Sequence, residues 1–137
     1  MIEMEYKGLL KERLILDSGK YEGYNYWIVS LGTHPCAYVE LSKEHKYYGK
    51  CEEDAWNLNI NVHGGITFGE FGLNGVADSD TFLLGWDYAH FGDYHTGAYG
   101  LCGLKKWTTK EIFEEVKDVI KQLKKVGLRK CVKNKRT

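Results

Sequence analysis

The chain has 137 residues, long enough for one domain with its own core, and its 43% hydrophobic content excludes a disordered chain. No apolar run approaches the roughly 20 residues a membrane helix needs. The formal net charge is zero, which argues against a DNA-coating protein.

In chain order, Tyr6–Leu16 carries Leu9, Leu10, Leu14, Ile15 and Leu16, and Asp17-Ser18-Gly19-Lys20 is a turn signal. Tyr24–Leu31 is aromatic and β-branched, so the two segments predict a β-hairpin. Gly32-Thr33-His34-Pro35 breaks the chain, and Cys36–Leu41 resumes as a strand. Ser42–Lys50 is expected to form one short helical turn capped by Ser42. Asn57–Val62 alternates polar with apolar, which is the clearest strand signal in the chain. Ile66–Phe68 is expected to continue pairing, Gly69–Asp80 to be a loop, and Thr81–Tyr88 to be a central strand. Ala89–Leu104 reads as Gly-rich and irregular.

The last element is a helix. Thr108 with Glu111 makes a capping box, and Ile112, Val116, Val119, Ile120 and Leu123 share one face. Lys121, Lys124 and Lys125 suit its C-terminal dipole, and Gly127 stops it. The expected fold is α+β: one domain over 1–137, a mostly antiparallel sheet with the long C-terminal helix and the short helical turn packed against it, and a basic tail from about 128.

Chemistry-bearing residues concentrate in the middle third. His63-Gly64-Gly65 follows the alternating segment, and Asp87, His90 and Asp93 are spaced Asp-x-x-His-x-x-Asp within Gly85–Asp93. These are metal-ligand types, but no HxH or HExxH accompanies them, and an Asp that orients a His in a loop fits as well. Cys36, Cys51, Cys102 and Cys131 show no CxxC spacing, so reduced thiols are expected. A hydrolase would use His90 as acid/base with Asp87 or Asp93 orienting it, yet no nucleophile signature is present. The glycines at 64, 65, 92, 97, 100 and 103 could bring backbone N–H groups to a phosphate, or simply make tight turns. Aromatics reach 14% of the chain, and rings such as Phe82 and Trp86 suit either a nucleobase or a subunit interface. Lys105 and Lys106 precede the helix and Lys110 lies in its first turn, where cations oppose the dipole unless an anion is bound; solvated lysines are the alternative. The tail likewise suits phosphate groups or a solvated helix end.

The run Tyr24–Leu41, YNYWIVSLGTHPCAYVEL, resembles small phage and prophage proteins, as do His63–Phe68 and Gly85–Asp93. The resemblance spans most of residues 24–126. Within that group the chain is similar to the phage anti-Thoeris cyclic-nucleotide sponges, the first type of Thoeris anti-defence protein. That resemblance implies a non-enzymatic protein, which sequesters a cyclic ADP-ribose isomer, or in some members a cyclic oligonucleotide, uncleaved; no cofactor is expected. TIR-dependent (Thoeris) immunity is thereby blocked. It implies a dimer-based homo-oligomer, possibly a hexamer, in the cytoplasm of the infected bacterial host, with no membrane or DNA partner. The ligand-binding candidates carried over are His63, Phe82, Trp86, Asp87, His90, Asp93, Lys105, Lys106 and Lys110. The family reads phosphates with arginines, whereas this chain has only Arg13, Arg129 and Arg136, so lysines would take that role.

Overall fold

A glycine sets the first turn among the described residues. Glu22 and Gly23 both take positive φ (48° and 88°), the conformation of a two-residue hairpin loop whose twist matches its strands. The turn therefore falls there and not at Asp17–Lys20. A computed structural model describes residues 14–30, 34–50, 58–88 and 105–128. In it, β1 (Leu14–Tyr21) runs straight through the expected turn, with only a bulge between Ile15 and Asp17.

Strands β2 (Tyr24–Ser30), β3 (Pro35–Leu41), β4 (Phe68–Leu73) and β5 (Ala77–Asp87) complete an antiparallel sheet of order β1-β2-β3-β5-β4. The expectation of an α+β fold, an antiparallel sheet with one long C-terminal helix, holds. β5 lies inside the sheet, as its apolar run predicts, but it starts earlier than expected. Gly69–Asp80 is not a loop: β4 and β5 form a hairpin closed by Asn74-Gly75, with Val76 N donating to Leu73 O at 2.8 Å. Gly75 supplies the positive φ that this turn requires.

Helix α1 (Thr109–Val126) begins at a capping box and ends at Gly127. The Thr108 side chain accepts from Glu111 N, and the Glu111 carboxylate accepts from Thr108 N, so two otherwise orphaned donors are satisfied. Its face Ile112, Val116, Val119, Ile120 and Leu123 is fully buried. The helix lies over β1, β2 and β3. It packs into a core with Tyr26 and Ile28 from β2, Ala37, Val39 and Leu41 from β3, and Phe82, Leu84 and Trp86 from β5. Burying each Val, Leu, Ile or Phe side chain among these stabilises the fold by about 1.5–3 kcal/mol. The opposite face of the sheet is apolar too, with Val29, Cys36, Tyr38, Leu73 and Leu83 buried together.

Two further expectations fail for identifiable reasons. Ser42–Lys50 makes a series of separate i→i+3 turns rather than a helical turn. Its buried member, His45, ties it to the helix end instead. His45 Nδ1 accepts from Tyr47 N at 3.0 Å, which leaves Nε2–H to donate to Leu123 O at 2.9 Å. Lys46 N also donates to Gly127 O at 3.1 Å. The alternating segment, described from Leu58, forms no strand. Its alternation is nonetheless real: Leu58, Ile60 and Val62 pack on the core while Asn59 and Asn61 are exposed. A side chain replaces the neighbouring strand. The Gln122 carboxamide of α1 accepts from Asn61 N and donates to Asn61 O, both at 2.7 Å, and Asn59 N donates to the Tyr47 hydroxyl at 3.1 Å.

The expected irregular Ala89–Leu104 and the basic tail from Arg129 lie outside the described residues. Among the described residues no helix is long and apolar enough to cross a membrane.

Candidate functional site

β5 delivers two large rings to the helix-facing side of the sheet because Trp86 and Tyr88 are two residues apart. Both are buried, so their polar atoms need partners. Trp86 Nε1 donates to the Tyr88 hydroxyl at 2.8 Å, and that hydroxyl donates to Glu115 Oε1 at 2.5 Å. Glu115 can reach it because it stands three residues after Ile112 and one before Val116, at the margin of the buried helix face.

The turn at His63-Gly64-Gly65 places a third ring. Gly65 N donates to Val62 O at 2.8 Å, and Gly64 takes a φ of 72°. These two glycines therefore make a tight turn, one of the two readings open to them. His63 leaves it stacked on Tyr88, with ring centroids 5.2 Å apart and planes 6° from parallel. Trp107, just ahead of the helix cap, closes the group. Its ring lies 4.8 Å from His63 and 4.9 Å from Tyr88. Lys105 Nζ sits 4.4 Å from the Trp107 ring centre, a cation–π contact. Trp107 and His63 are only partly buried, so this ring group has a solvent side.

The helix start is already supplied with an anion. Glu111 Oε1 accepts from Thr108 N and Oε2 accepts from Lys105 Nζ at 2.9 Å. The Lys105 ammonium, with the Thr108 backbone N–H, holds the Glu111 carboxyl below its usual range. Lys105 ahead of the helix therefore answers an internal carboxylate, which offsets its clash with the dipole. Lys106 and Lys110 stand exposed beside it.

The candidate residues thus divide. His63, Trp86 and Lys105 come together, with Lys106 and Lys110 alongside. Phe82 does not join them: it is buried further along β5 against Tyr48 and Phe71, with centroids 5.5 and 4.9 Å away. Trp86 offers its indole N–H to Tyr88 and is 1% exposed, so it supports the ring group from below. Asp87 alternates to the opposite face of the sheet, where it accepts from Thr67 Oγ1 at 3.4 Å. His90 and Asp93 lie outside the described residues. Among the described residues no three His, Cys, Asp or Glu side chains converge as a metal site.

Two members of the group escaped sequence reasoning. Trp107 sits between the lysines and the capping box, and Glu115 is an acid on the edge of an apolar helical stripe. The second was a usable signal, since an acid at that position must find a donor. Comparisons with protein families, with curated proteins and with solved structures return no match for this chain.

Proposed function

We propose that this protein binds a cyclic ADP-ribose-type nucleotide and holds it uncleaved, and that in a phage-infected bacterium this sequestration blocks TIR-dependent (Thoeris) immunity. The observation that carries the reading is the ring group of His63, Tyr88 and Trp107 with the Lys105 ammonium over Trp107. A nucleobase is a flat π-surface that gains about 1–3 kcal/mol by stacking on such a ring. Phosphates need cations within reach, and Lys106 and Lys110 flank the same helix start. The division of labour follows: rings hold the base, exposed lysines meet the phosphates, and Lys105 keeps Trp107 in place through Glu111. The homo-oligomer and the host-cytoplasm location belong to the same reading.

The test is to incubate purified protein with cyclic ADP-ribose isomers and cyclic oligonucleotides, remove unbound nucleotide, heat the protein and identify what is released by mass spectrometry. Intact ligand, retained by the wild type and lost in Trp107→Ala, is the expected result. A cleaved product would replace this reading with the hydrolase built on His90 and its aspartates. No retained nucleotide would end both.

A further inference from the structure

The far edge of the sheet has a different chemistry from the helix side. Around the β4–β5 hairpin lies an open cleft of about 420 Å³, lined by Phe68, Leu73 and Ala77 together with Glu70, Asn74 and Asp78. It is larger than one side chain. β4 is the last strand of the sheet among the described residues, so one side of its backbone faces outward. Phe71 is 48% exposed there, although a ring of that size is ordinarily buried.

The charge carried by the hairpin itself is one-sided. Residues 68–87, which make up β4, its turn and β5, contain four acids and no Lys or Arg. Glu70 and Asp78 are exposed, and among the described residues neither is in an ion pair. Asp78 uses one oxygen, Oδ1, to hold Asp80 N and Thr81 Oγ1. An apolar floor with carboxylates at its rim suits a side chain with an aliphatic stem and a cationic head, which is what Lys and Arg are. It repels nucleic acid.

We infer that the β4 edge and its cleft bind an extended peptide segment in which Lys or Arg alternates with apolar residues. The peptide backbone pairs with β4, and every second residue turns toward the cleft. Stems of the basic residues lie on Phe68, Leu73 and Ala77, and their heads meet Glu70 and Asp78.

The experiment uses the full chain and a fluorescein-labelled octapeptide of alternating Lys and Val, with an alternating Glu–Val octapeptide as control. Fluorescence anisotropy gives affinity, and amide chemical shifts locate the peptide. The expected result is binding of the Lys–Val peptide alone, with shifts centred on 68–73. Glu70→Lys, an exposed change that breaks no hydrogen bond, should weaken it at least ten-fold, while Trp107→Ala leaves it unchanged. No binding, equal binding of the Glu–Val peptide, indifference to Glu70→Lys, or shifts confined elsewhere would each overturn the inference.

Discussion

Tyr88→Phe removes one oxygen atom and keeps the ring, so it isolates the polar network beneath the site. In the wild type that oxygen accepts from the Trp86 indole N–H and donates to the Glu115 carboxylate. Trp86 is 1% exposed and Tyr88 fully buried, so water cannot replace the lost acceptor. An unsatisfied buried donor costs about 1–3 kcal/mol, and a hydrogen bond to a charged group is worth about 1.5–3 kcal/mol. Glu115 is only half-buried and recovers part of its loss from solvent. The variant should therefore be destabilised by about 2–3 kcal/mol. For a domain of this size that corresponds to a fall in Tm of roughly 10 °C. Urea unfolding followed by tryptophan fluorescence measures it, and Glu115→Gln with the double variant shows whether the effects couple. A Tyr88→Phe loss under about 0.5 kcal/mol, or strict additivity with Glu115→Gln, would refute the network.

Two further outcomes follow from the packing. Burial holds the His45 imidazole below its ordinary pKa, so the folded state takes up its proton less readily than the unfolded chain. Stability from this group is complete above the ordinary value near about 6.5 and falls as pH drops below it, by at most about 1.4 kcal/mol per unit. Unfolding between pH 7.5 and 5 should show that slope in the wild type and lose it in His45→Gln. Separately, a Cβ on Gly85 would stand 2.5 Å from Tyr38 Cδ1 and 3.0 Å from Ala37 O. Tyr38 and Phe68 flank Gly85 in register from both neighbouring strands, their rings edge-to-face at 5.2 Å. Gly85→Ala should cost about 1–3 kcal/mol by overpacking, and an unchanged urea midpoint would contradict that geometry.

The helix was fully legible, because its cap, stripe and terminal glycine all agree on the same boundaries. The hairpin turns were legible only in part. Asn74-Gly75 is a turn signal that the polar run Ala77–Asp80 obscured, and Asp17–Lys20 has turn composition but is held in β1 by its pairing with Asn25–Ile28. The segment from Leu58 to Val62 shows the deeper limit. Period-two burial needs a core beneath it but not a ladder beside it, and nothing local says that the partner is Gln122 of a distant helix. Gly85 read as part of a site motif for a related reason: a glycine under two rings and a glycine beside a ligand look alike until the strand register is known. Phe82 and Asp87 were drawn toward the site by proximity in sequence, which strand alternation and length then separate.

The Gln122 carboxamide also sets how residues 58–62 open. A strand in a sheet shares its fate with every neighbour, whereas the backbone of residues 58–62 is fastened by one side chain, one tyrosine hydroxyl and one turn bond, with Leu58, Ile60 and Val62 packed on the core. Hydrogen exchange at Asn59 and Asn61 is thereby decoupled from global unfolding and proceeds through a local opening of much lower free energy. His63 follows directly on this segment, so the same opening lifts its imidazole from Tyr88 and uncovers the ring beneath while the sheet stays intact.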